Sequence, residues 1–560
     1  MEISKNRTIK NMENKYRWLT PESQTFLERD YLLSGQTLDE RVDIICKEAE
    51  RRLGIPDFAK KFKENIQKGW YSLSTPVWTN YGTNRGLPIS CFGSFVEDNM
   101  ESILETVAEV GMMTKLGGGT SAYFGKLRAR GSEIKDNGQS AGSVHQMQMF
   151  DKLITVVSQG KTRRGNFAAY LDIDHPDIME FLTIRSEGSP IQDLSFGVCV
   201  PSQWLKEMKE GDAQKRKVWA KVLQIRSEFG YPYIQFTDNV NNNTVDVYKD
   251  KSKKIYASNL CSEIMLPSSE TESFVCCLSS MNLLYFDEWY ETDAVKLMVY
   301  FLDTVMEEFI EKASQIKFMD RAVRFAKNHR ALGLGRLGWH SYLQSKMIPF
   351  ESLEAKMHNV KIAQYIQQES YQASKELADM FGEPEMLKGY GRRNTTLNAD
   401  APTKSSAFIL GQVSESNEPA KANYYIKDLA KIKFTVKNPY LEKLLEERGQ
   451  NTQEVWNSIL MNAGSVQHLD FLTDHEKLVF KTFAEISQRE VIIQASQRQK
   501  YIDQGQSLNL MVHPSIPTKD VNALMLEAEE LGIKALYYQY SVNAAQAFSR
   551  DILNCVSCEA

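Results

Sequence analysis

A thiol, an amide and a carboxyl fall within five residues at Asn259, Cys261 and Glu263, in the stretch SNLCSEI over 258–264. If that stretch is extended, alternate side chains share a face and the three groups point together at whatever lies above them. The other cysteines stand at 46, 91, 199, 276, 277, 555 and 558. Their spacing does not make a disulfide framework, and in a reducing compartment such residues are buried, catalytic or metal-binding. Cys91 in ISCFGSF and Cys276 in FVCCLSS both sit in strand-like contexts. If the strands around 91, 261 and 276 are neighbours, one active thiol lies beside a dithiol pair. Cys555-Val-Ser-Cys558 lies at the end of the chain and can reach in on a flexible tail. A zinc site would need a second pair of ligands, and none of the eight histidines is spaced for it. The layout suits a reaction that consumes two electrons per turnover and is reset by thiol–disulfide exchange.

Hydroxyl-rich turns supply a second kind of chemistry. In APTKSSAFILG, Pro402 is followed by Thr403, Ser405 and Ser406, a pattern that opens a helix whose N–H groups and hydroxyls can hold a phosphate or simply cap it. STPVWTN over 74–80 is a turn of the same kind. Two glycine-rich stretches are set aside. GLGRLG over 333–338 follows the basic, helical RFAKNHRAL rather than a strand, so it lacks the strand–turn–helix setting of a dinucleotide site. LGGGTSAYFGK over 116–126 is followed by Leu127 instead of Ser or Thr, so it is not a Walker A loop.

The elements that must position these groups read as α/β. The first ~70 residues are helical: Val42, Ile45, Cys46, Ala49 and Leu53 recur at helical spacing before Gly54, which makes Cys46 a core residue. From about 70 to 350, short apolar segments alternate with amphipathic helices. One helix follows SCFGSFVEDN, with Asp98 and Glu101 as its capping box and Ile103, Val107, Val110 and Thr114 on one face. A helix-rich piece over 350–400 ends in a turn-rich segment. A long helical stretch from about 440 to 500 precedes YIDQGQSLNLMV, which alternates like a strand.

The 560 residues carry a net charge of −5, with no Lys/Arg block. A nucleic-acid polymer or an anionic membrane is therefore not the expected partner. The polar N-terminus has no signal-peptide core and no apolar run is long enough to span a bilayer, so a cytoplasmic location is expected.

In order along the chain, STPVWTN with Cys91 sixteen residues after Thr75, KLRARGSEI, SQGKTRRGNFAAY, SNLCSEI, CLSSMNLL, APTKSS, YIDQGQSLN and KALYYQ resemble the large, catalytic subunit of class I ribonucleotide reductase. The resemblance implies a ten-stranded α/β barrel over 71–540, with a finger loop carrying Cys261 to its centre. It includes a small helical insertion near 350–400. An N-terminal helical region over 1–70 would precede it, without the ATP-sensing cone of many relatives, and a redox tail over 541–560 would follow.

It further implies that Cys261 becomes a thiyl radical and abstracts the 3′ hydrogen of a ribonucleotide, most simply a diphosphate. Glu263 would act as base on the 3′-hydroxyl, and Asn259 would hold a sugar hydroxyl. Cys91 and Cys276 would supply electrons and protons, although a one-residue shift exchanges Cys276 for Cys277. Cys555 and Cys558 would re-reduce that pair; the 17 residues from Tyr538 to Cys555 reach roughly 55–60 Å when extended. Tyr537 and Tyr538 would relay the radical from a separate small subunit that holds the metal, so this chain needs no resident cofactor.

Thr75, Ser90, Pro402, Thr403, Ser405 and Ser406 would bind substrate. Asp98, Arg128 and Arg163 or Arg164 would bind a dNTP or ATP effector at a homodimer interface. Thioredoxin or glutaredoxin would be the final reductant. The alternatives are a cobalamin-dependent class II reductase, against which the tyrosine dyad argues, and a scaffold that binds nucleotides without catalysis, against which the retained cysteines, Glu263 and tyrosines argue.

Overall fold

The computed structural model describes residues 15–158, 165–429 and 432–541. Three helices open it: Pro21–Asp30, Leu38–Leu53 and Phe58–Gln67. The second follows its sequence closely. Thr37 and Glu40 form a reciprocal capping box, Gly54 ends the helix at φ 66°, and Val42, Ile45, Cys46, Ala49 and Leu53 are all buried. A left-handed residue at that position suits glycine, which has no Cβ to clash.

A barrel follows, and its pairing builds it from two halves. The strands Cys91–Phe95, Gly119–Tyr123, Phe167–Asp172, Ser195–Val200 and Tyr233–Phe236 run parallel in that spatial order. The other half starts with Phe274–Asn282 parallel to Leu332–Leu337. It continues through parallel bridges from Leu334 to Asn398 and from Asp400 to Gln506, and ends where Leu510–Met511 pairs parallel with Gln539–Tyr540. Two antiparallel seams join the halves: Cys91–Phe95 against Phe274–Asn282, and Ala535–Leu536 against Tyr233–Phe236. The ring thus holds five segments and five, the ten-stranded α/β barrel expected from the resemblance. The strands are buried on both faces, as parallel strands wrapped in helices must be. Ala294–Ala313 and Leu353–Phe381 pack together on the outside.

Several local expectations are corrected. GLGRLG is itself a barrel strand, Leu332–Leu337. Gly333 and Gly335 face inward: a Cβ on Gly333 would lie 2.5 Å from Leu278 and 3.1 Å from Cys276 Sγ, and one on Gly335 would lie 2.5 Å from Ala399 O. Asp98 does not cap the next helix. Asn99 does, accepting from Ser102 N, and the helix runs Met100–Lys115.

The stretch over 440–500 is not one helix but four, Pro439–Glu447, Gln453–Met461, Asp474–Val479 and Gln488–Gln499, each begun at its own Asn, Thr or Ser N-cap. The small accessory unit lies there too. Leu441, Leu445, Trp456, Ile459, Val479 and Phe480 form an apolar cluster apart from the main core. The 350–400 region instead belongs to the main core through Leu353–Phe381. No helix of the described residues is long and apolar enough to cross a membrane.

Candidate active site

The segment 251–273 leaves the outer layer and crosses the barrel interior as a finger. Both halves hold it. From one side Ser121 Oγ donates to Ser258 O at 2.8 Å and Tyr170 Oη to Asn259 O at 2.7 Å. From the other, Gly505 N donates to Glu263 O at 2.8 Å and Ser507 Oγ to Cys261 O at 2.6 Å. The tip is a turn, not the extended run the sequence suggests. Ser262 is left-handed at φ 66°. Asn259 Oδ1 accepts from Glu263 N and Ile264 N, each at 3.1 Å. Asn is the residue type that folds its side chain back onto its own backbone in this way. The turn still brings the three groups together, for Asn259, Cys261 and Glu263 all line one pocket.

Glu263 is buried, with Ser507 Oγ 3.1 Å from its carboxylate. Burial outweighs the hydrogen bonds from Asn259 and Ser507 and pushes the carboxyl up to about 7. A carboxylate poised near neutrality is a suitable general base.

Cys91 lines the same pocket, and Cys91 and Cys276 are directly opposed across the antiparallel seam. Opposed residues there have Cα atoms about 4.5–5.5 Å apart, within the span a disulfide accepts. Both are thiols in this structure. Asn259 Nδ2 donates to Cys91 Sγ at 3.8 Å, and Gln504 Nε2 to Cys276 Sγ at 3.4 Å. Cys277 is one residue out of that register and so faces the other side of the sheet. There burial pushes its thiol well above the ordinary range.

The hydroxyl turns close the pocket. Thr75 starts the short helix Thr75–Asn80, and Thr403, at φ 57°, precedes the helix Lys404–Ile409. Thr75, Ser90, Pro402, Thr403, Ser405 and Ser406 all line the pocket, as does Tyr537. The Tyr537 and Tyr538 rings lie 4.2 Å apart at 53°.

Set well apart in sequence, Asp98 accepts from Arg128 N at 3.1 Å and from Arg128 Nε at 2.7 Å. Arg163, Arg164, Cys555 and Cys558 lie outside the described residues.

The sequence reasoning missed three groups. Gln504 and Ser507 lie within YIDQGQSLN, a stretch that reads as a strand and as a family motif without singling out either residue. Tyr231, in Tyr-Pro-Tyr, has its hydroxyl 3.0 Å from that of Tyr538; an aromatic pair beside a proline was the available signal.

The model of the ribonucleotide reductase barrel domain matches residues 89–215, 206–386 and 384–539. The chain belongs to the class I ribonucleotide reductase large-subunit family. It is 34% identical to the ribonucleoside-diphosphate reductase large subunit of Invertebrate iridescent virus 3, over 86% of this chain and 87% of that one. The large subunit of Caenorhabditis elegans is 29% identical over 93% and 76%. The class Id ribonucleotide reductase alpha subunit of Actinobacillus ureae shares the fold at a TM-score of 0.91 and 58% identity, covering 95% of this chain and 99% of that one. The chain is thus an oxidoreductase, and the ten-stranded ring is this family's barrel. The cobalamin-dependent alternative is not favoured.

Proposed function

We propose that the pocket reduces ribonucleoside diphosphates to 2′-deoxyribonucleotides by thiyl chemistry started by a separate, metal-containing small subunit. The observation that carries the proposal is the single pocket lined by Asn259, Cys261, Glu263, Cys91, Tyr537 and the two hydroxyl turns. A phosphate held by Thr75, Ser90, Thr403, Ser405 and Ser406, with Pro402 fixing the loop, lays the ribose across the finger tip. Tyr538 and Tyr537 pass the radical inward to Cys261, whose thiyl removes the 3′ hydrogen atom. Glu263 takes the proton of the 3′-hydroxyl, and Asn259 holds a neighbouring hydroxyl. Water leaves from C2′ as Cys91 and Cys276 supply two electrons and close a disulfide. Positioning by a buried loop, held from both sides, keeps the radical from side reactions.

Cys555 and Cys558 then reduce the pair and are themselves reduced by thioredoxin or glutaredoxin in the cytoplasm. An effector, dNTP or ATP, sits at Asp98 and Arg128 with Arg163 or Arg164. Met100, Leu104 and Val156 are 53%, 52% and 82% exposed on the packed helices Met100–Lys115 and Ser143–Val156. That apolar face supports a homodimer there.

The test is an assay of all four ribonucleoside diphosphates with the cognate small subunit, scanned across effectors. Deoxynucleotide formation that requires the second subunit is expected. Turnover of the isolated chain on adding adenosylcobalamin would overturn the proposal.

A further inference from the structure

The two sulfurs of the proposed redox pair have unlike surroundings. Cys91 lines the pocket and is partly exposed; Cys276 is 1% exposed. Gln504, fully buried, directs its amide at Cys276. Its Nε2 lies 3.4 Å from Cys276 Sγ and 3.0 Å from both Leu332 O and Thr396 Oγ1, while its Oε1 accepts from Met265 N at 3.0 Å. An amide nitrogen has two protons, so three acceptors share them, and one of the three is a neutral thiol, a weak acceptor. A buried donor aimed at sulfur contributes most when the sulfur carries charge, because hydrogen bonds to an ion are about twice as strong as neutral ones.

We infer that reduction of the Cys91–Cys276 disulfide has a fixed polarity: an incoming dithiol attacks Cys91, and Cys276 leaves as a thiolate received by the Gln504 amide. The inference rests on these two cysteines being the redox pair. In the first step the ionised sulfur of the dithiol bonds to Cys91 Sγ, the Cys91–Cys276 bond breaks, and its electron pair goes to Cys276. In the second, the other sulfur of the dithiol, once ionised, attacks the reductant's own sulfur in the mixed disulfide. Cys91 then leaves, with Asn259 Nδ2 beside it. Two electrons pass from the dithiol to the pair, and the two protons it loses end on Cys91 and Cys276. Exchange is faster when the leaving thiol is more acidic. Burial alone pushes the Cys276 thiol well above its ordinary range, and the Gln504 hydrogen bond opposes that rise.

The test begins with the Cys555→Ser, Cys558→Ser enzyme, whose tail cannot re-reduce the pair, oxidised by one turnover with its small subunit. Peptide mapping must first find the Cys91–Cys276 disulfide; its absence would overturn the redox-pair reading and the polarity with it. The oxidised enzyme is then treated briefly with excess 2-mercaptoethanol, quenched with acid and alkylated with N-ethylmaleimide. The mixed disulfide is expected on Cys91 and the alkyl group on Cys276, and the reverse labelling would overturn the polarity.

A second arm uses Gln504→Glu, which keeps the shape and the acceptor for Met265 N but cannot donate when ionised. Its reduction by dithiothreitol, relative to the wild type at the same pH, should be about 10- to 100-fold slower at about pH 8. The ratio should recover as the pH falls and the carboxyl becomes a donor. A ratio near one at about pH 8, or a loss that does not change with pH, would remove Gln504 from the step.

Discussion

Replacing Glu263 with glutamine should cut turnover by orders of magnitude and, above neutral pH, strengthen the fold. The carboxyl is buried between the finger and Ser507, and its pKa rises from 4.5 to about 7. In the unfolded chain the group ionises near 4.5; in the native chain it keeps its proton until about 7. The native state therefore binds more protons in that window, and stability falls as the pH rises through it, then levels off. At about 1.4 kcal/mol per pH unit, the ionised native form costs roughly 3 kcal/mol. Glutamine carries no charge at any of these pH values and escapes that cost. Denaturant unfolding of the wild type and Glu263→Gln should give stabilities that coincide near pH 4.5 and diverge to about 3 kcal/mol, in favour of the variant, by about pH 8. Loss of a general base should lower turnover by about 10²–10⁴-fold, while wild-type turnover climbs with pH through about 7. A stability difference that does not change with pH would refute the burial argument, and an active variant would refute the role of base.

Cys261→Ser should bind the ribonucleotide with wild-type affinity yet form no deoxynucleotide, measured by equilibrium binding beside a product assay. Cys555→Ser combined with Cys558→Ser should stop after about one turnover with thioredoxin or glutaredoxin but continue with dithiothreitol; normal cycling with the protein reductants would exclude the tail. Gly333→Ala places a methyl 2.5 Å from Leu278 and 3.1 Å from Cys276 Sγ, and overpacking of that kind costs about 1–3 kcal/mol. Its melting temperature should fall and its disulfide re-reduction should slow together.

The ring and most of its pocket were legible because ordered motifs carry them, but geometry inside the motifs was less so. The spacing of Asn259, Cys261 and Glu263 suggested a flat strand, whereas the Asn259 side chain turns the chain back on itself. A period-two pattern in so short a run cannot be told from a turn that brings the same residues together. The choice of Cys276 over Cys277 as the partner of Cys91 depends on register, which only the seam with Cys91–Phe95 fixes. Asn99 rather than Asp98 caps its helix because Asp98 is already engaged by Arg128, a partner thirty residues away that no local pattern reveals. Nothing local singles out Gln504, because its amide meets its three acceptors in other parts of the chain.

The finger is gripped by Ser121 and Tyr170, which precede their partners by 137 and 89 positions, and by others that follow it by more than two hundred. This ordering bears on biosynthesis. A chain emerging from the ribosome completes Cys261 long before it completes Ser507, and Tyr537 comes later still. Pairings so distant in sequence are also among the last to form during folding. On the proposed mechanism, the thiol that would carry the radical is therefore an ordinary cysteine in every nascent or half-folded molecule. Competence arrives only with the closing seam, so unfinished chains have no formed site at which the radical could be received.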